Sequence, residues 1–142
     1  MTTAQEPITA DQVLTARRAW QAAVEARDVE AVASLYDQEC GQLLGTMDTS
    51  GTARRQTPQR IRDYFENFLA ADAIRVEFHR PVTVDDVMPT GPDYVTYSGY
   101  YDFTIEEGGM ERMLKATFTF VYRRDQDGRL WIVTHNSGFT SE

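Results

Sequence analysis

The residues best suited to chemistry stand in a row near the end of the chain: Thr134, His135, Asn136 and Ser137. They follow the apolar residues 130–133, so this segment is typical of a strand whose second half is polar on both faces. A last strand of this kind often lines a cavity or an interface. His135 is one of two histidines, and its side chain suits a general base or a hydrogen-bonding ligand group. A structural histidine with satisfied hydrogen bonds is the competing interpretation.

Asp102 and Tyr100 are the other candidates for acid–base chemistry. They alternate along a strand rich in tyrosine and threonine, so their side chains share one face. In a cavity the Asp102 carboxylate could act as a base, whereas an exposed strand aspartate explains the residue equally well. The sequence contains no metal-binding histidine spacing, nucleophile elbow or phosphate-binding glycine loop. We therefore expect no metal and no other cofactor.

Composition and charge limit the partners that the chain can have. Its 142 residues, with 42% hydrophobic and 25% charged side chains, predict a single domain over residues 1–142. A net charge of -8 repels phosphate, so nucleic acid is not expected as a partner. The first residues lack the pattern of a signal peptide, and no apolar run approaches the length of a membrane helix. We expect a cytoplasmic protein that makes no membrane contact.

Three helices are predicted before any long strand. Thr9 and Gln12 form a capping-box pattern at the start of the first helix. Asp28 can cap a short second helix, and Thr57 followed by Pro58 marks the start of a third. The apolar residues then recur at helical spacing in each segment, which predicts that one face of each helix is buried.

The remainder of the sequence predicts a curved, mainly antiparallel sheet. The expected strands cover residues 42–46, 74–79, 82–87, 94–105, 112–124 and 130–139. Turn signals at 106–109 and 125–128 join the last three strands into a meander. Helices followed by strands indicate the α+β class. Three N-terminal helices packed on such a sheet predict a cone-shaped barrel, with the first helix across its mouth.

Alternation divides the long strands into two faces. The bulky, aromatic face contains Tyr101, Phe103, Phe118 and Phe120. The smaller, polar face contains Ser98, Tyr100, Asp102, Lys115, Thr117 and Thr119. In one interpretation the aromatic face is the core and the threonines meet water. In the other, the threonine face surrounds a pocket under the first helix, and the aromatic face packs on a second subunit.

Several short motifs occur in a characteristic order. They are Tyr-Phe-Glu-Asn at 64–67, Arg-Arg-Asp at 123–125 with Gly128, Trp-Ile-Val at 131–133 and His-Asn-Ser-Gly at 135–138. Together with the first helix and Trp20, they resemble the association (hub) domain of calcium/calmodulin-dependent protein kinase II, over about residues 11–138. That domain belongs to the nuclear transport factor 2-like superfamily. The chain has no kinase motifs, so it resembles a stand-alone, bacterial-type relative.

The resemblance implies a cone fold with an inner pocket and dimers formed through the sheet. It implies a small, carboxylate-bearing ligand, although Tyr100, Thr119 and Asn136 occupy the positions of the arginines that line the pocket of the kinase hubs. The predicted pocket residues are Trp20, Tyr64, Ser98, Tyr100, Asp102, Lys115, Thr117, Thr119, Thr134 and Asn136. The predicted dimer interface consists of Tyr101, Phe103, Phe118, Phe120, Trp131 and Val133, because exposed aromatic side chains on a monomer would favour aggregation.

Three functions are consistent with these patterns. The first is a module that associates with itself as a homodimer or higher oligomer, binds a small ligand and lacks a kinase domain. The second is a cofactor-free isomerase, cyclase or hydratase-type lyase, resembling polyketide cyclases and ketosteroid isomerases, with acid–base candidates Asp102, Tyr100 and His135. The third is a docking partner for another protein through its acidic surface. We expect the first function, and an Asp102 that faces solvent would remove the base of the second.

Overall fold

A computed structural model describes residues 6–45 and 54–140, which form three helices and a sheet of seven strands; two of the strands lie between the second and third helices. The helices are α1 (Ala10–Glu25), α2 (Val29–Ala33) and α3 (Pro58–Phe68). The strands are β1 (Gln42–Gly45), β2 (Arg54–Arg55), β3 (Ala73–Phe78), β4 (Val87–Gly91), β5 (Tyr94–Glu107), β6 (Met110–Arg124) and β7 (Leu130–Phe139). The predicted α+β class is confirmed. None of the described helices is long and apolar enough to span a bilayer.

The three helices begin at their predicted caps. The Thr9 hydroxyl accepts the N–H of Gln12 (3.1 Å), and the Gln12 side chain accepts the N–H of Thr9 (2.8 Å). Asp28 accepts the N–H of Ala31 (3.0 Å), and Thr57 caps α3 in the same way. Each cap satisfies a backbone N–H that has no partner within its own helix.

Two strand predictions need correction. Residues 82–87 do not extend β3, because Val84–Asp86 forms a 3₁₀ turn instead. The Asp86 carboxylate accepts both the N–H and the hydroxyl of Thr83, and such local bonds compete with strand formation. β2 and β4 were not predicted, since the predicted strand at 82–87 ends where β4 begins. Residue 46 of the predicted first strand lies outside the described residues.

The sheet order is β2-β1-β7-β6-β5-β3, with β4 paired to the end of β5 that β3 leaves uncovered. β5, β6 and β7 form the predicted antiparallel meander. β1 pairs parallel to β7, so the sheet is mixed. β3 pairs with residues 101–106 of β5 and β4 with residues 94–97, on the same edge of that strand. This arrangement leaves a gap in the sheet edge beside residues 98–100.

The aromatic face of the sheet is the core. α1 and α3 pack on it, and the Trp20 ring lies 5.9 Å from Tyr101 and 5.6 Å from Phe120. Tyr101, Phe103, Phe118 and Phe120 are at most 3% exposed within one chain. The prediction that these four residues form a dimer interface is therefore wrong, because other side chains of the same chain already bury them.

The threonine face is the outer face of the sheet, opposite the helices. Its exposed members are Ser98, Tyr100, Lys115, Thr117 and Asn136, and its half-buried members are Asp102, Thr119 and Thr134. The predicted placement of these eight residues around an inner pocket is wrong, because they alternate with side chains that point into the core. Trp131 and Val133 are half-buried, and their part in a dimer stays a prediction.

Candidate functional site

A β-bulge in β7 brings His135 to the inner face. The pairing with β6 shifts by one residue at Val133. Strict alternation along β7 would put His135 on the same face as Trp131 and Val133, which is what the sequence predicts. Because Val133 is an extra residue in the pairing, His135 instead shares the inner face with Ile132, and both side chains are at most 3% exposed. The bulge therefore decides that the histidine points into the core.

A chain of five polar groups, here called the histidine network, crosses the inner face from Trp20 to Ser137. The indole N–H of Trp20 donates to Tyr36 Oη (3.3 Å), which lies 2.7 Å from His135 Nδ1. His135 Nε2 lies 3.0 Å from Tyr101 Oη, which donates to Ser137 Oγ (2.6 Å). Tyr36 accepts from Trp20, so we assign its proton to His135 Nδ1 and the imidazole proton to Nε2. Both imidazole nitrogens thus have partners.

Burial keeps the histidine network uncharged. It lowers the pKa of His135 to about 3, so the imidazole is neutral at physiological pH. Burial also raises the pKa of Tyr36 and of Tyr101, so both hydroxyls stay protonated. The network can therefore donate and accept hydrogen bonds without the cost of desolvating an ion.

A small cavity adjoins the network beneath α3. It is lined by Trp20, Leu43, Tyr64, Phe65, Phe68, Tyr101, Phe103, His135 and Ser137, and its volume is about 10 Å³. A single water needs roughly 10–15 Å³, so an organic ligand could enter only if the aromatic walls moved. Trp20 and Tyr64 are the two predicted pocket residues that line this cavity, together with the catalytic candidate His135.

Asp102 and Tyr100 lie on the other side of the sheet from the cavity. Asp102 Oδ1 is 2.9 Å from His79 Nε2, and the His79 ring stacks on Tyr100 at 5.9 Å. Tyr100 is 54% exposed. Neither side chain reaches the inner face, so the predicted enzyme loses the base and the tyrosine assigned to it.

Sequence reasoning missed Tyr36 and did not assign Ser137 to the site. Tyr36 lies just after α2 and forms an isolated bridge with Ile132, which brings its hydroxyl beside His135. The only signal for Tyr36 in the sequence is the apolar spacing of α2, which predicts burial but not a partner. Among the described residues, no group of three or more His, Cys, Asp or Glu side chains could hold a metal ion.

Three helices over one face of a curved sheet, with a cavity between them, define the nuclear transport factor 2-like fold. A proposed calcium/calmodulin dependent protein kinase II association domain from Xanthomonas campestris is 26% identical, with a TM-score of 0.79 over 100% of this chain and 99% of that one. A nuclear transport factor 2-like superfamily protein from Salmonella enterica has a TM-score of 0.78 at 8% identity, over 94% and 92% of the two chains. A ketosteroid isomerase-like protein from Erwinia carotovora has a TM-score of 0.73 at 15% identity, over 94% and 97%. The last two likenesses show the fold alone.

The family follows from a match to the SnoaL-like domain over residues 17–133. The match covers most of the chain, which therefore belongs to the SnoaL-like domain family. No curated protein matches it. The predicted resemblance to the nuclear transport factor 2-like superfamily and to an association domain is confirmed.

Proposed function

We propose that the chain is a self-associating domain that forms a homodimer through the outer face of its sheet. One observation carries this proposal: the middle of that face has no charged side chain. This surface, here called the uncharged outer patch, consists of Gln42, Leu44, Thr96, Ser98, Tyr100, Thr117, Thr119, Val121, Thr134 and Asn136.

The strand registers place these ten residues side by side. One row is Thr96, Val121, Thr134 and Gln42, and the next is Ser98, Thr119, Asn136 and Leu44. Gln42 Nε2 donates to Thr134 Oγ1 (3.2 Å), which links neighbouring strands of the patch. Charged residues begin beyond it. Asp102 pairs with Lys115 on one side, and Arg123 pairs with Tyr94 and Trp131 on the other. At the β2 edge, Arg54 pairs with Leu44.

Such a surface shares one property with an interface core, the lack of charged side chains. Charged residues make up 25% of the chain, yet none occurs at these ten adjoining positions. Interface cores are depleted in charge, and the β-branched side chains of threonine and valine lose little freedom on burial. A two-fold axis through the patch would pack it against its own copy. The full-length likeness to the Xanthomonas protein, described as an association domain, supports the same conclusion.

Sedimentation velocity across a range of concentrations tests the dimer. The wild-type chain should sediment at twice its mass of 16.2 kDa. Thr119→Glu, at the centre of the patch, should be monomeric. The two-fold axis of the dimer would bring two unpaired carboxylates together inside the interface. Thr104→Glu is the matched control: Thr104 is a half-buried, outward threonine of β5 beyond the Asp102–Lys115 pair, and its variant should stay dimeric. A monomeric wild type, or a dimeric Thr119→Glu, contradicts the proposal.

Ligand binding is a separate part of this proposal. The histidine network is neutral, so the predicted carboxylate-bearing ligand would depend on Arg55, whose guanidinium stacks over Tyr64 at 4.5 Å. Tyr64 would have to move for a carboxylate to enter the cavity. Titration with acetate, followed by nuclear magnetic resonance, should shift the His135 and Tyr64 ring signals in the wild type but not in Arg55→Gln. Equal responses in the two proteins would rule out this ligand site.

A cofactor-free enzyme is the second candidate, favoured by the histidine network itself. If Tyr36 turned away, His135 Nδ1 would take the α-proton of a carbonyl compound, and the Tyr101 hydroxyl, released from Ser137, would donate to the enolate oxygen. The Erwinia neighbour is described as ketosteroid isomerase-like. The test is deuterium exchange of the α-protons of acetone in D₂O. Exchange accelerated by the wild type but not by Tyr101→Phe would favour the enzyme, and equal rates would remove it.

A further inference from the structure

We propose a second binding site in the gap between β3 and β4, where the edge of β5 would bind a small, neutral ligand through its secondary amide. The site is separate from the inner cavity, and it uses backbone groups that point along the sheet into the gap. It does not require the proposed dimer, but it shares Ser98 and Tyr100 with the uncharged outer patch. The observations that carry it are unpaired backbone groups, a cavity that opens onto them, and a rim held in place by hydrogen bonds.

Three backbone groups of β5 are unpaired at the gap. The N–H of His79 donates to the C=O of Tyr100 (3.1 Å), which shows that Tyr100 directs its backbone toward this edge. Alternate residues of a strand direct their N–H and C=O to the same side, so Ser98 does likewise. The N–H of Tyr100 and both backbone groups of Ser98 have no hydrogen-bond partner among the described residues. An extended ligand could therefore continue the ladder that β3 and β4 interrupt.

A cavity of about 290 Å³ opens onto these groups. It is lined by His79, Arg80, Pro81, Asp86, Tyr97, Ser98, Gly99, Tyr100 and Phe118. Its volume lies near the lower end of the range for small-molecule sites. A Cβ at position 99 would lie 3.2 Å from the Phe118 ring, so the ring reaches this part of the strand because residue 99 is glycine. The gap thus has an apolar floor.

Hydrogen bonds hold the rim of the cavity in place. Arg17 of α1 donates to the C=O of Arg80 (2.8 Å) and to Tyr97 Oη (3.1 Å). Asp86 accepts from the N–H and the hydroxyl of Thr83, at 2.9 and 2.8 Å. A rim that is already ordered lowers the entropic cost of binding.

The backbone and side-chain groups around the gap define the chemistry of the ligand. One extended residue can donate its amide N–H to the C=O of Ser98 and accept the N–H of Ser98, as in an antiparallel pair. The ring of Tyr100, 54% exposed within one chain, provides contact for an apolar side group, so the ligand and the proposed dimer would compete for it. Arg80 and Asp86 approach to 3.5 Å and offset each other's charge, which favours a neutral ligand. A capped amino acid or an amidated peptide end has this chemistry.

Nuclear magnetic resonance titration of the full chain with N-acetyl-phenylalaninamide tests the site. Saturable shifts are expected at the backbone amides of Ser98 and Tyr100. An analogue with an ester oxygen in place of the acetylated N–H should bind about tenfold more weakly, because the C=O of Ser98 loses its donor. A tripeptide amide that ends in phenylalaninamide distinguishes a peptide end from the free capped amino acid. No saturable shift at these amides with either probe, or equal affinity of the ester analogue, overturns the proposal.

Two substitutions of Ser98 distinguish a ligand contact made by its backbone N–H from one made by its hydroxyl. Ser98→Pro deletes the N–H, at an edge position where proline fits a strand, and should weaken binding about tenfold. Ser98→Ala keeps the N–H and should bind within about threefold of the wild type. Equal losses in both variants would assign the contact to the hydroxyl and overturn the proposal. If the proline variant fails to fold, the ester analogue decides with the wild-type chain.

Discussion

Lowering the pH from 7 to 5 should destabilise the fold through His135. Burial holds its pKa at about 3 in the folded chain, against 6.5 for the free side chain. Between these values the unfolded chain binds a proton that the folded chain does not bind. The free energy of unfolding therefore falls as the pH falls through this window. Above pH 6.5 the imidazole is mostly neutral in both states and adds little pH dependence.

The size of the effect follows from proton linkage. Each pH unit inside the window is worth about 1.4 kcal/mol, and the unfolded histidine is partly neutral at the upper end. The loss between pH 7 and pH 5 is therefore about 2 kcal/mol. Acidification also reduces the net charge of -8 and relieves self-repulsion, which acts in the opposite direction. A variant without the histidine measures this change in self-repulsion separately.

Urea unfolding at the two pH values, at one protein concentration, is the assay. His135→Gln removes the titrating group, and its amide can still bond to Tyr36 or Tyr101. Its free energy of unfolding should fall by about 2 kcal/mol less than that of the wild type. Comparing each protein with itself at the two pH values cancels the static cost of the substitution. Equal losses in the two proteins would refute the assignment of a buried, neutral imidazole.

Two further predictions concern the hydrogen bonds of the histidine network and a glycine that another part of the backbone approaches closely. Tyr36→Phe and Tyr101→Phe should each lower the free energy of unfolding in urea by about 1–2 kcal/mol, since each leaves a nitrogen of His135 unpaired. Their double variant should cost less than the two single effects together, and strict additivity would argue against one shared network. Gly41→Ala should cost about 3 kcal/mol or more in thermal unfolding, because its Cβ would lie 2.4 Å from a backbone oxygen. Gly138→Ala, with 3.8 Å to the nearest atom, should be close to neutral, and an equal cost at both glycines would contradict the steric explanation.

Local signals predicted most of the secondary structure. The caps at Thr9, Asp28 and Thr57 act within a few residues, so the sequence is sufficient to locate the three helix starts. The meander follows from turn residues and from the period of two in the same way. The gap beside Ser98 could not be predicted, because it depends on how two separate strands share one edge of β5.

The candidate site was predicted less well than the fold. Alternation along β5 and β6 divides the residues into two sets but does not say which set meets the helices. The resemblance to dimeric hubs favoured the wrong choice for Phe118 and Phe120. Both are buried within one chain, Phe120 against Trp20 of α1 and Phe118 against Phe78 of β3. Asp102 and Tyr100 were assigned to the inner pocket by the same wrong choice of face, and the structure places them on the outer face.

His135 shows the limit of the sequence most clearly. Its polar neighbours and its place at the end of the last strand are visible in the sequence, and so is its capacity to bond through both ring nitrogens. Its position on the inner face depends on the bulge at Val133, which belongs to the pairing of β7 with β6. The sequence by itself determined the elements and the two sets of strand residues. Only the tertiary structure decided which set is the core and that His135 joins it, because pairing and packing are relations between segments distant in the chain.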